Sequence, residues 1–172
     1  MVSKEVEKLL LKVQKPGRYV GGELNEVIKD KKKVDCRFAF CFPDTYEVGM
    51  SHLGMKILYS LMNAVPYIWC ERVFAPWVDM EEEMIKHNIP LYALESGDPV
   101  SDFDFIGFTL QYELSFTNML NMLRLSGVPI KSCDRKELKN IVVTGCRCAC
   151  NPEPIADVVD IFFIDEGEEG DL

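Results

Sequence analysis

The sequence predicts an α/β fold: a doubly wound, mostly parallel sheet with helices on both faces. Three observations carry this. The runs Val34–Phe42 (VDCRFAFCF), Phe105–Leu110 (FIGFTL) and Ile141–Thr144 (IVVT) are nearly continuous in apolar residues, as strands buried on both faces are. Amphipathic stretches at three- and four-residue steps lie between them. Strand and helix patterns alternate from about residue 35 onward, with no internal repeat.

The elements follow in order. Val34–Phe42 is closed by Pro43–Asp44, a turn signal. Met50, Leu53, Ile57 and Leu61, widened by Leu58 and Met62, predict one amphipathic helix. Tyr67–Phe74 is a second strand. Trp77, Met80 and Met84 share one face of the next helix, Glu81–Glu83 the other, and His87, Asn88 and Pro90 mark its end. Leu91–Leu94 is a short extended piece, Phe105–Leu110 a central strand, and Leu114–Leu125 a well-buried helix. After Ile141–Thr144, Asn151–Pro152 looks like an N-cap with proline in the first turn. A short helix through Ile155 and Val158 leads to a last strand, Ile161–Ile164. This is the Rossmann/flavodoxin-like arrangement with its last covering helix missing, because the sequence stops at Asp171–Leu172 just past that strand. The expectation is that another chain or a further C-terminal region packs there.

Composition narrows the function classes. The chain has 172 residues, 48% hydrophobic and 27% charged, which is one ordinary globular domain rather than a disordered or fibrous chain. No apolar run reaches the roughly 18 residues of a membrane span, and the charged start MVSKEVEKLLLKV is no secretory signal. The seven cysteines are odd in number and show no bridge framework, so reduced thiols in a cytoplasmic protein are expected. Net charge is −9. Residues 1–33, read as an N-terminal helix and basic loop extension, carry nine basic and five acidic side chains, and residues 34–172 are strongly acidic. An acidic body repels a phosphate backbone, so no nucleic-acid partner is expected of this domain alone. The cluster Lys29, Lys31, Lys32, Lys33 reads as a solvated loop.

Chemistry in an open parallel sheet belongs outside the carboxyl ends of the strands. Three segments fall there. In PDTYEVGMSHLG, Gly49 and Gly54 permit close backbone approach, Asp44 and Glu47 are acidic, and Ser51 and His52 open the helix; the competing reading is a turn and helix cap built on Asp44 or Ser51. In TLQYELS, Gln111, Tyr112 and Glu113 could read a ligand's edge, or Thr109 or Ser115 could simply cap the next helix. This loop lacks the glycine fingerprint of dinucleotide folds. In TGCRCACN, between Gly145 and Asn151, Cys146, Cys148 and Cys150 are weak metal candidates, because Cys-x-Cys-x-Cys matches neither the Cys-x₂-Cys of zinc sites nor the Cys-x₃-Cys-x₂-Cys of a radical-enzyme cluster. Cys36, Cys41 and Cys70 read as small buried apolar residues. The acidic ending IDEGEE reads as a solvated turn rather than a Mg²⁺ site. No Gly-x-Ser-x-Gly, His-Glu-x-x-His or phosphate-binding loop is present, so no catalytic residue is assigned.

The stretches DFIGFTLQYELS, IVVTG and NPEPIADVVDIFFIDEGEE, in that order, resemble the N-terminal, cobalamin-binding-type domain that precedes many radical S-adenosylmethionine (radical SAM) enzymes. LLLKVQKPGRYVGGELN, FCFPDTYEVGMSHLGMKILY and ERVFAPWVDME resemble the start of one uncharacterised radical SAM family with such a domain. The sequence departs from the pattern where Gly145–Cys146–Arg147 replaces a Gly-Gly-Pro and where Asp165 stands for a glycine. It also lacks the Asp-x-His-x-x-Gly motif around His52, since positions 50 and 55 are both Met.

The resemblance implies that residues 34–172 are a cobalamin-binding-type α/β domain. Such a domain holds or orients a corrinoid (cobalamin), or acts as scaffold for a radical SAM core present in cis or as a separate chain. The [4Fe–4S] cluster and S-adenosylmethionine would belong to that core, which this sequence lacks. The expected ligand face comprises Asp44, Glu47, Gly49, Ser51, His52, Gln111, Tyr112, Glu113, Gly145 and Asn151. Two other readings stay open: an interaction module using the uncovered last strand and the Phe74–Trp77 region, and a small cysteine-based metal or redox protein.

Overall fold

The computed structural model describes residues 3–145 and 147–164. Cys146 and the acidic ending from Asp165 lie outside them.

Five parallel strands form the sheet in the order β2-β1-β3-β4-β5. They are β1 (Cys36–Phe42), β2 (Ile68–Phe74), β3 (Phe105–Thr109), β4 (Ile141–Gly145) and β5 (Ile161–Phe162). This is the flavodoxin-like order, whose switch point lies between β1 and β3. The helices are α1 (Lys4–Leu10), α2 (Tyr46–Ser51), α3 (Leu53–Ala64), α4 (Val78–His87) and α5 (Ser115–Ser126).

Alternation along the strands divides the core in two. Ala39, Cys41, Val73, Ile106, Phe108 and Val142 join Met80 and Met84 of α4, Met119, Met122 and Leu123 of α5, and Val6 and Leu9 of α1. On the opposite face, Phe40, Phe42, Cys70 and Phe74 pack against Met55, Tyr59 and Met62 of α3. Each buried Met or Phe removed from water contributes roughly 1.5–3 kcal/mol, so the larger cluster anchors the domain.

The structure corrects several element readings. The single helix over Met50–Met62 is two, because His52 takes an extended conformation between α2 and α3. Its imidazole Nδ1 accepts the Met55 amide at 3.1 Å, so the histidine itself caps α3. Trp77 does not share the buried face of Met80 and Met84; it is the residue before α4 and is 48% exposed. Leu114 likewise precedes α5 and is exposed. Asn151 caps nothing: Pro152 precedes a one-turn 3₁₀ helix, Glu153–Ile155, and Ile155, Val158 and Val159 drop into the larger core.

Residues 3–33 run along the same body. Lys12 bonds Glu83 at 2.6 Å, and the Gln14 amide donates to Asp79 at 2.7 Å. Gly21 adopts φ 68° where a Cβ would stand 2.4 Å from the Leu94 carbonyl oxygen, a position only glycine fills. The Tyr59 hydroxyl accepts the Val27 amide at 2.8 Å, and the Trp69 indole donates to the Val27 carbonyl at 2.9 Å. Lys29 is not solvated as its cluster suggested: its ammonium donates to the Val65 carbonyl at 2.7 Å and to that of Ile68. This strap and the Leu91–Ser96 segment cover the outer side of β2. There the Leu94 amide donates to the Arg72 carbonyl at 2.9 Å, which blunts a sheet edge that would otherwise template aggregation.

Candidate functional site

The crevice of this topology opens where the chain leaves β1 and β3 in opposite directions. From β1 come Pro43 and Asp44; from β3 come Gln111, Tyr112 and Glu113. The structure brings Asp44 and Tyr112 together: the tyrosine hydroxyl donates to Asp44 Oδ2 at 3.3 Å, while Oδ1 accepts the Thr45 amide at 2.7 Å. Burial, then the Asp44 charge, pushes the Tyr112 phenol above its ordinary value. Beside this tie, Asn118 of α5 donates to the Pro43 carbonyl at 2.9 Å. Gln111 donates to the Thr109 hydroxyl at 2.9 Å, and the Ser115 hydroxyl to the Tyr112 carbonyl at 2.6 Å. Ser115 therefore holds the loop's own backbone, and Glu113 points to solvent.

The other residues singled out from sequence are dispersed around this mouth. Glu47 turns toward the strap, where Arg18 bonds it at 2.9 Å and Lys15 at 3.2 Å. The Arg18 hydrogen bond comes first among the causes that hold the Glu47 carboxyl down at about 2, although the side chain stays near the surface. Gly49 is buried, and a Cβ there would meet the Phe74 ring at 2.2 Å and Phe42 at 3.2 Å. Its missing side chain makes room for an aromatic ring. Ser51 is exposed and donates to the Val48 carbonyl at 2.8 Å. The His52 ring lies 5.3 Å from that of Phe42. Gly145 ends β4 opposite Thr109, and a Cβ added there would make only ordinary contact with Phe163. Asn151 is exposed beyond the 3₁₀ turn Arg147–Cys150. In that turn Cys148 is buried and Cys150 exposed. Among the described residues no three His, Cys, Asp or Glu side chains come together to hold a metal ion. The described cysteines are all free thiols, and burial pushes those of Cys41 and Cys70 well up.

Sequence reading missed the buried charges. Arg72 is 3% exposed and sits in β2, with its guanidinium 4.5 Å from the centre of the Tyr59 ring. The Glu95 carboxylate takes both the Arg72 Nε–H at 2.6 Å and the Arg72 amide at 2.7 Å. Burial raises the Glu95 carboxyl and the Arg72 charge opposes that rise. On the opposite side of the strand Glu71, fully buried, accepts from Arg37 and from the Ser96 amide at 3.0 Å. The signal was available: Glu71–Arg72 interrupts an apolar strand, and charges inside a sheet require partners.

Cobalamin is the group the domain type implies, and its fit can be judged at the mouth. The Tyr112–Asp44 bond and the Asn118–Pro43 bond cross the space between the β1 and β3 loops. The space beside Gly49 is filled by Phe74, and His52 Nδ1 is committed to the α3 cap. In this arrangement the β1–β3 mouth does not fit a corrinoid.

Among the described residues, no helix is long and apolar enough to cross a membrane. Comparison with known proteins gives a consistent picture. Residues 54–171 match the model of a family described as radical SAM proteins, N-terminal. The uncharacterised protein MJ0966 of Methanocaldococcus jannaschii is 34% identical over 135 residues, which is 78% of this chain and 24% of that protein. The chain thus spans about a quarter of the relative it matches. No solved structure matches. With a five-stranded parallel α/β domain and a family match across more than half its residues, the chain belongs to the family of radical SAM protein N-terminal domains.

Proposed function

We propose that the domain is a scaffold that docks a radical SAM catalytic core against the carboxyl end of its sheet and supplies no reacting group itself. The observation that carries this reading is the pairing of a mouth bridged by its own side chains with an apolar rim around it. Val48 follows β1, Trp77 and Val78 follow β2, and Leu114 follows β3, and all are exposed, Val78 at 60% and Leu114 at 81%. Exposed apolar side chains gathered at one end of a domain mark an interaction surface. The core would be in cis or a separate cytoplasmic chain, and the cluster and S-adenosylmethionine would belong to it.

The test has two arms. The chain is incubated with hydroxocobalamin and passed through a desalting column, and no retention is expected. Stoichiometric retention would overturn the scaffold reading and make the domain a corrinoid holder. In parallel, Trp77→Asp with Leu114→Asp is compared with the parent chain for binding to the core of the same protein, and affinity should fall by roughly tenfold or more. Unchanged affinity would also sink the proposal.

A further inference from the structure

The buried Arg72 guanidinium is only partly satisfied. Its Nε–H goes to Glu95, while Nη1 reaches the Met50 sulfur at 3.5 Å, and a thioether is a weak acceptor. Nη2 is buried and finds no acceptor among the described residues. A buried donor in this state costs free energy until something accepts from it. Beside it lies a cavity of about 10 Å³, lined by Met50, Met55, Tyr59 and Arg72 with the exposed Asn25 and Lys56 at the surface. That is room for one water-sized group. Charge decides its kind. Arg72 and Lys56 are balanced by Glu95 and by Glu23, which favours the Arg72 charge and takes the Tyr46 hydroxyl. A single neutral oxygen therefore suits the place better than an anion.

Met50 can supply that oxygen itself. Of the eight methionines, Met55, Met62, Met80, Met84, Met119 and Met122 are buried, Met1 lies outside the described residues, and Met50 is half-buried. Oxidation turns the weakly accepting thioether into a polar S–O group on a chiral sulfur. We propose that Met50 is an oxidation site for hydroperoxides, with its sulfoxide oxygen seated in the cavity and held by Arg72. The Met50 sulfur lone pair attacks one oxygen of hydrogen peroxide, and the O–O bond breaks. The proton on the attacked oxygen passes through solvent to the departing hydroxide, which leaves as water. Sulfur is oxidised by two electrons and the peroxide is reduced by two. Sulfoxide reductases restore the thioether. Met50 lies in α2, two positions from Val48 of the apolar rim, but the proposal does not rest on the docking reading.

A methionine sulfoxide ordinarily disrupts the packing around it; at Met50 it should tighten that packing. The accessible thiols of the chain are first blocked, dilute hydrogen peroxide is added to the folded protein, and the products are read by peptide mass mapping. Met50 should oxidise at least roughly tenfold faster than the six buried methionines. Its sulfoxide should be one epimer in large excess, read by which of two epimer-specific reductases removes it from the digest. The Met50-oxidised chain should melt about 2–4 °C above the blocked, unoxidised chain. Met50→Gln, whose amide oxygen can reach the same cavity, should melt above Met50→Leu, whereas a purely apolar site would rank them the other way. Equal epimers overturn the proposal, as does oxidation of Met50 no faster than that of the buried methionines. An unchanged or lowered Tm of the oxidised chain also overturns it, and would assign a water to Nη2 instead.

Discussion

Gly49→Ala is a substitution whose sign separates two readings of the same glycine. Gly49 lies inside α2, where replacing glycine by alanine normally gains about 1 kcal/mol of helix stability. If the glycine served only to let a ligand approach, the free protein would show that gain. The structure gives the opposite sign. A Cβ would stand 2.2 and 2.6 Å from two carbons of the Phe74 ring and 3.2 Å from Phe42. Both rings are buried, and Phe74 is held edge-on by Tyr46 with ring centres 5.5 Å apart. Overpacking of this kind costs about 1–3 kcal/mol, and two fixed neighbours place it near the upper end. Net of the helix gain, the variant loses about 2 kcal/mol, which lowers Tm by about 4–8 °C for a chain of this size. Differential scanning fluorimetry or calorimetry reads this directly. Gly17→Ala, where nothing lies within 4 Å, is the control and should not fall. Adding Phe74→Leu to Gly49→Ala should recover part of the loss, since the cycle removes the clash along with the ring. An unchanged or raised Tm for Gly49→Ala would refute the packing argument and return the glycine to the ligand reading.

Three further outcomes follow from the geometry. Arg72→Met strands the fully buried Glu95 carboxylate and should cost about 3–5 kcal/mol in urea unfolding, whereas Arg72→Met with Glu95→Gln should regain most of it, because the amide oxygen still accepts the Arg72 backbone N–H. Glu47 is ionised down to about 2 against an ordinary value of 4.5, so the stability that its hold on Arg18 contributes is full above about 4.5 and is lost as pH falls toward 2. Trp77 fluorescence, reported by a ring with the Arg18 guanidinium 5.5 Å from its centre, should change in a transition centred near 2, where the folded-state carboxyl itself protonates, and the change should shrink in high salt. His52→Ala should cost about 1 kcal/mol through the lost α3 cap while His52→Asn keeps most of it; equal stability of the two variants would remove the capping role.

Particular residues show why the fold was more legible than the site. Strand runs such as FIGFT and IVVT are apolar on both faces, a pattern that only a covered parallel sheet satisfies, so class and strand count followed from periodicity. The helix break at His52 did not, since Met50, Leu53 and Ile57 keep helical spacing across it while the backbone turns out by one extended residue. Topology alone puts the mouth after β1 and β3. The contacts of its side chains were not legible, because spacing cannot say which neighbour a side chain meets. Glu47 answers to Arg18, twenty-nine positions away, and Tyr112 to Asp44 across sixty-eight. Such pairings exist only once the sheet order is set.

The distribution of fixed and open parts bears on how the domain would receive the partner proposed above. Its buried charges, Glu71 and Arg72 of β2 and Glu95 beside it, are paired there: Glu95 on Arg72, and Glu71, with the half-buried Asp98, on Arg37 of β1. A buried pair adds little net stability, yet it penalises any shift that separates its members. These pairs therefore lock the β2 side against sliding, and the strap adds Lys31–Asp98, Lys29 on the Val65 carbonyl and Trp69 on Val27 to the same side. The β5 side carries a two-residue strand and an incompletely covered apolar floor. Rigidity is thus concentrated at one edge and unfilled surface at the other, joined by a mouth whose Tyr112–Asp44 bond is 3.3 Å long and near solvent. A partner that docks on the mouth and the β5 side meets a platform already fixed in register on its far side. It needs to order only its own contacts, which reduces the conformational cost of association.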